Sequence, residues 1–198
     1  MKFYLYLLLS LLLLFSCNSE NEVSLEQFYF TDERLSGLLS NQDFLSQLTN
    51  PCKVVRVVDG DTIDVDCPTW PEIQSVRYLD IDTPEVRKKV SNRWVDDFEC
   101  FGKESSEINK NLVSGKTVYL IEGLVNKDKY GRRLAYVFVD NGQDKKLHLN
   151  LYLVATGTAK SWKYNDVINF RSGIHYENIL GMEQIAQKYE MGLWGECY

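Results

Sequence analysis

Residues 52–67 read Cys-Lys-Val-Val-Arg-Val-Val-Asp-Gly-Asp-Thr-Ile-Asp-Val-Asp-Cys. Two β-branched runs, 53–58 and 62–66, flank an Asp-Gly pair, and this order predicts a β-hairpin. Asp and Gly tolerate the positive φ angles that a tight hairpin turn demands. Cys52 and Cys67 stand at equal distances from Asp59-Gly60, so such a hairpin sets them opposite one another. A cross-strand disulfide is the favoured reading, two free thiols the alternative. Pairing Cys100 with Cys197 then follows only by elimination.

Outward from the hairpin, residues 76–81 predict a third strand, 85–103 a charged, exposed loop, and 104–113 a helix stopped by Ser114-Gly115. Residues 116–122 and 134–139 predict two more strands, 150–156 a short helix before Gly157, and 177–191 a last helix. Five short strands with a helix between the third and fourth, and helices behind, predict a small α+β barrel. His148 falls in an apolar strand and His175 in a loop, so a histidine-based centre is not expected. Trp70, Trp94, Trp162 and Trp194 read as core or loop anchors.

The 198 residues suit one domain with appendages, and 44% hydrophobic with 25% charged residues is a globular composition. A net charge of −6 argues against gripping nucleic acid by bulk charge alone. The apolar run after Met1-Lys2-Phe3 is too short to span a bilayer as a helix and reads as a secretory signal over residues 1–17. It ends Leu14-Phe15-Ser16-Cys17, which resembles the bacterial lipoprotein signal, with Cys17 as the lipidated residue. Ordinary export, with Cys17 lost or left free, is the alternative. Residues 18–51 hold six acids (Glu20, Glu22, Glu26, Asp32, Glu33, Asp43) against Arg34 alone. They read as an acidic tether with one or two short amphipathic helices carrying Leu35, Leu38, Leu39, Leu45 and Leu48. Residues 52–198, the main domain, are then only slightly acidic. Export also favours disulfides.

The chemistry concentrates in Asp59-Gly60-Asp61, Arg77 to Glu85, and Asp128 to Arg132. Asp61 and Asp82 face one another if the second and third strands pair, an all-oxygen set suited to calcium or magnesium. Glu85 can orient or deprotonate water, and Arg77 and Arg132 can take a phosphate bidentately. That kit suits phosphodiester hydrolysis. Arg77 and Asp82, five residues apart, would point to opposite faces of one continuous strand unless it bends.

Taken in order, Val-Asp-Gly-Asp-Thr (58–62), Arg-Tyr-Leu-Asp-Ile-Asp-Thr-Pro-Glu (77–85), Gly102-Lys103-Glu104, Asp-Lys-Tyr-Gly-Arg-Arg-Leu-Ala-Tyr-Val (128–137), Leu149-Asn150 through Lys160, and Gly192-Leu193-Trp194 resemble the staphylococcal nuclease (thermonuclease) family. The resemblance spans about Lys53 to Trp194. It implies a five-stranded OB-fold barrel with three helices and calcium-dependent cleavage of DNA and RNA, leaving 3′-phosphates. It also implies Asp61, Asp82 and the Thr83 carbonyl as calcium ligands, Glu85 as the water-activating acid, and Arg77 and Arg132 as the phosphate-binding arginines. Lys129 and Tyr130 match positions contacting the nucleotide, and Tyr164 or Trp162 could stack on a base. The expectation is an exported, lipid-anchored, monomeric Ca2+-dependent nuclease of single-stranded DNA and RNA. A non-catalytic nucleic-acid binder and a protein-interaction lipoprotein are the alternatives.

Overall fold

A computed structural model describes residues 29–30, 51–91, 93–96, 98–140, 146–163 and 173–198. Cys17, the leucine stripe and Tyr164 lie outside the described residues. The barrel is built from β2 (Cys52–Val57), β3 (Thr62–Asp66), β4 (Gln74–Tyr78), β8 (Thr117–Lys127) and β9 (Arg133–Asp140). Their order is β9-β4-β3-β2-β8, and β8 pairs back onto β9, which closes the sheet. Only β4 with β9 is parallel; the other barrel contacts are antiparallel. Closure leaves these strands no free edge. The expected five-stranded OB barrel is therefore present, with α1 (Gly102–Val113) between its third and fourth strands. Ile63, Val65, Val76, Leu134, Val137 and Phe138 belong to the hydrophobic core and are fully buried, each stabilising the fold by about 1.5–3 kcal/mol.

In the first hairpin Lys53 pairs with Asp66 and Val54 with Val65, but Arg56 pairs with Asp64. The bulge at Val55 shifts the register by one residue, and the turn closes through Val58 N–H on the Thr62 carbonyl at 2.9 Å. Cys52 and Cys67 form a disulfide, and Cys100 and Cys197 form a second.

Four further elements differ from the sequence expectation. The third strand ends at Tyr78, because Asp80 takes a left-handed backbone (φ 60°). The chain then restarts as β5 (Ile81–Asp82), turned away to pair with β11 (Lys160–Ser161). The supposed loop at 85–103 contains a hairpin of β6 (Arg87–Val90) and β7 (Arg93–Asp96) and the start of α1. The last long helix, α3, begins earlier (Gly173–Lys188) and so takes in His175, which was expected in a loop. A short β1 (Tyr29–Phe30) pairs with β10 (Lys146–His148) at the sheet edge, inside the segment expected to be a partly helical tether. His148 is buried against Phe138 and caps α2 (Leu149–Ala155) by accepting from the Leu151 N–H at 3.4 Å.

A non-glycine residue at positive φ costs about 1–3 kcal/mol and persists only where its surroundings impose it. Here they do. Leu79 N–H donates to Ala135 O at 2.9 Å, and Trp162 N–H donates to Asp80 O at 2.8 Å. Asn150, fully buried on α2, donates Nδ2–H to Leu79 O at 2.8 Å and accepts from Val137 N–H at 2.9 Å. The Asp80 carboxyl accepts from the Tyr136 hydroxyl; burial raises its pKa to about 6, which that hydrogen bond only partly opposes. Between its ordinary value and about 6 the folded state holds a proton that the unfolded chain releases, so Asp80 lowers stability as pH rises through that window.

Asn150→Ala strands a buried amide and a buried carbonyl, so urea unfolding should show a loss of ~3 kcal/mol; a change below ~1 kcal/mol would mean the bend is held by something else. Cys52→Ala with Cys67→Ala should also cost ~3 kcal/mol, the chain-entropy value for a loop of about 15 residues. An unchanged urea midpoint in that variant would show that the hairpin needs no cross-link.

Candidate active site

Asp61 leaves the first hairpin turn and lies almost fully buried. Its position is fixed from both sides: its carbonyl accepts from Tyr78 N–H at 2.8 Å, and its Oδ2 accepts from Thr83 N–H at 3.0 Å. Gly60 lets this turn lie against Thr83, since a Cβ there would stand 2.5 Å from the Thr83 hydroxyl oxygen.

Arg77, on β4, forms ion pairs with both Asp61 and Asp82. The bend at Asp80 makes this possible, because it reverses the strand parity that would have pointed Arg77 and Asp82 apart. Burial by itself would lower the guanidinium's pKa, but the adjacent Asp61 and Asp82 carboxylates outweigh it and raise it. Arg77 is therefore a fixed positive charge.

Arg132 approaches the same cluster from the turn between β8 and β9. Its Nη1–H donates to Thr62 Oγ1 at 3.4 Å, and that hydroxyl donates to Asp61 Oδ1 at 3.0 Å. Asp128 aims it. The buried Asp128 carboxylate accepts from Arg132 Nε–H at 2.7 Å and from the Tyr130 and Arg132 backbone N–H groups, both at 2.9 Å. Gly131, at φ 84°, allows the tight return. Tyr130 is 73% exposed beside Arg132, with the Lys129 ammonium 5.0 Å from its ring centre.

Glu85 lies on the exposed side of the cluster. Burial is the first cause raising its pKa, followed by repulsion from Asp61 and Asp82. Asp82 is likewise raised by burial, although Arg77 opposes the shift. Asp59, whose Oδ1 accepts from Asp61 N–H at 3.1 Å, is raised to about 7 by burial and then by Asp61. Four acids thus surround one buried guanidinium, and negative charge is in surplus. Among the described residues, no three His, Cys, Asp or Glu side chains close on one ion position. A cation here would have protein carboxylates from Asp61 and Asp82 and would need other oxygens for the rest of its shell.

The structure therefore gathers Asp61, Arg77, Asp82, Thr83, Glu85 and Arg132, with Lys129 and Tyr130 at the rim. Trp162, half exposed, follows β11 next to the Asp80 carbonyl. A cleft of about 540 Å3 opens between the β6–β7 hairpin and α1, lined by Arg56, Val58, Val86, Arg87, Phe98 and Lys103 among others. Sequence reasoning passed over Asp128, Thr62 and Asp59. Asp128 left a signal, since Asp-x-Tyr-Gly-Arg is an Asx turn that returns on its own arginine. Thr62 and Asp59 left none beyond their places in the turn.

Residues 75–196 match the family model described as "Staphylococcal nuclease homologue". The chain is 33% identical over 142 residues to the thermonuclease of Staphylococcus hyicus, covering 72% of this chain and 74% of that one. It is 37% identical over 145 residues to the SPbeta prophage-derived endonuclease YokF of Bacillus subtilis, covering 71% of this chain and 43% of the relative. An uncharacterised protein of Methanocaldococcus jannaschii, MJ1439, is 30% identical over 155 residues, 72% of this chain and 70% of that one. The matched span carries Arg77, Asp82, Glu85 and Arg132, and the chain belongs to the staphylococcal nuclease family.

Proposed function

We propose that this protein is a nuclease that hydrolyses phosphodiester bonds of DNA and RNA with Ca2+ and leaves 3′-phosphates. The observation that carries the reading is the convergence of two arginines, one on β4 and one in the turn before β9, on one carboxylate cluster, with Glu85 at its exposed side. The names of the relatives, thermonuclease and endonuclease, point the same way.

Asp61 and Asp82, with the Thr83 carbonyl, would hold the ion; bound there, it would neutralise charge on phosphoryl oxygens. The surplus of acid around Arg77 and the all-oxygen donor set suit a hard divalent cation. Arg77 and Arg132 bind the scissile phosphate and take up the charge that grows on its oxygens. Glu85 accepts a proton from a water that attacks phosphorus, and the 5′-oxygen departs with the bond's electron pair. A raised Glu85 pKa makes it a better proton acceptor than a carboxylate at its ordinary value. Lys129 and Tyr130 contact the substrate beyond the scissile phosphate, and Trp162 or Tyr164 stacks on a base. The exposed ring of Tyr130 and its neighbouring ammonium favour a single strand, whose bases are free to stack.

Export is part of the same proposal, with residues 1–17 as signal and Cys17 as lipid attachment. Two disulfides within residues 52–197 support an oxidising destination.

Incubation of the purified chain with single-stranded DNA should shorten it with Ca2+ and leave it intact with chelator. Retention without shortening would instead mark a binder, and neither outcome a protein-interaction module. Glu85→Gln and Arg132→Ala should each lower kcat by at least ~100-fold. Near-wild-type rates in either variant would overturn the roles given to them.

A further inference from the structure

Glu85 stands at the start of a chain excursion. Pro84 precedes it, the β6–β7 hairpin follows two residues later, and the chain returns at Glu99. The return is anchored on Glu85 itself. Glu99 N–H donates to the Glu85 carbonyl at 2.9 Å, and Glu85 N–H donates to Glu99 Oε2 at 3.0 Å. One residue thus holds both backbone polar groups of Glu85. Gly102 closes the bracket from below, since a Cβ there would lie 2.5 Å from Glu85 O, and Gly102 N–H donates to Glu99 O at 2.9 Å.

The residue after Glu99 is Cys100, bonded to Cys197 just beyond α4 (Leu193–Glu196). That end of the chain is itself fixed. Leu193 N–H donates to Gly157 O at 2.9 Å, and the two backbones meet so closely that a Cβ on Gly192 would stand 2.5 Å from the same oxygen. Three residues after Gly157, Lys160 pairs with Asp82. A covalent and hydrogen-bonded ring therefore runs from Asp82 to Glu85, across Glu99 to Cys100 and Cys197, and back through Gly157 and Lys160 to Asp82.

We infer that Glu99, anchored by the Cys100–Cys197 disulfide, is a positioning residue for Glu85. It acts through the Glu85 backbone and does not touch the reacting atoms. The inference rests on Glu85 being the water-activating acid. The bracket fixes the Glu85 backbone independently of the β6–β7 hairpin that follows it, so the direction of its exposed side chain does not depend on that hairpin. Displacement of a reacting group by a fraction of an ångström lowers turnover while leaving the contacts that bind substrate. Reduction of this disulfide, whose Cys100 is exposed, with the buried Cys52–Cys67 bond intact, would loosen the acid and spare the barrel.

Four variants of the full chain decide it: Glu99→Ala, Glu99→Gln, the pair Cys100→Ser with Cys197→Ser, and Glu85→Gln. Glu99→Ala and the double serine variant should each lose ~10-fold in kcat with KM within about twofold. Glu99→Gln keeps an oxygen that can accept the Glu85 N–H and should recover most of that loss. Circular dichroism and melting curves give the folded fraction at the assay temperature, so that kcat is expressed per folded molecule. Normal kcat in Glu99→Ala or in the double serine variant overturns the inference. So does Glu99→Gln as impaired as Glu99→Ala, or a loss that vanishes once the folded fraction is counted. Strong loss in Glu85→Gln alone leaves the nuclease reading standing without the bracket. Normal kcat in Glu85→Gln removes the role of the acid itself, and the positioning role falls with it.

Discussion

A guanidinium held between two carboxylates, Arg77 between Asp61 and Asp82, is the constraint on which the rest of the structure turns. Arg77 and Asp61 are buried and Asp82 is half exposed; burying a charge costs several kcal/mol per ion, and mutual attraction repays this only when the geometry is good. Apolar side chains of similar volume would stabilise such a place at least as well. The sequence keeps the ions, and the backbone is shaped to seat them. The triad is therefore better explained by the phosphate-binding role proposed for it than by a contribution to folding.

The supporting structure follows from that need. Asp61 can reach Arg77 only if the first turn is tight and lies on Thr83, which Gly60 permits. Asp82 can reach it only if the third strand breaks within three residues of Arg77, which the left-handed Asp80 achieves. Asn150, from the helix beneath, ties the Leu79 carbonyl at the break to the Val137 N–H of β9 and makes an unfavourable backbone conformation the stable one. Core and site thus share residues, and the site inherits the barrel's rigidity.

This division also explains how much of the protein was legible in its sequence. The barrel was, because its strands are β-branched runs separated by turn residues, and the Asp-Gly pair set the first register to within one bulged residue. The acids and arginines were legible as a set, because phosphate chemistry needs both kinds of group. Their convergence was not: a period of two separates Arg77 from Asp82, and only the bend at Asp80, held by Asn150 some 70 positions away, reverses that. Local patterning carries no trace of so distant a hydrogen bond. The β6–β7 hairpin was hidden for a different reason. Its strands are four residues each and rich in charge, so they lack the apolar alternation that marks a half-buried strand. Asp128 was visible as a turn residue, but its service to Arg132 depends on a fully buried carboxylate, and burial is a property of the folded barrel.

The near-neutral charge of residues 52–198 bears on how such a site can work. A strongly basic surface draws nucleic acid by its field and releases many counterions on binding. Here positive charge is concentrated instead: Arg77 and Arg132 at the centre, Lys129 at the rim, and Arg56, Arg87 and Lys103 along the cleft between the β6–β7 hairpin and α1, several of them already paired with acids. Attraction that depends on a few positioned cations falls off within about a Debye length, so the substrate is held where the chemistry occurs and weakly elsewhere. With little binding energy available from the surrounding surface, the proposed turnover would lean on the accuracy with which the two arginines and Glu85 are held. The buried carboxylate behind Arg132 and the bracket around Glu85 supply that accuracy by the same means: each places a hydrogen-bonded acid against the backbone of the segment that carries a reactive side chain.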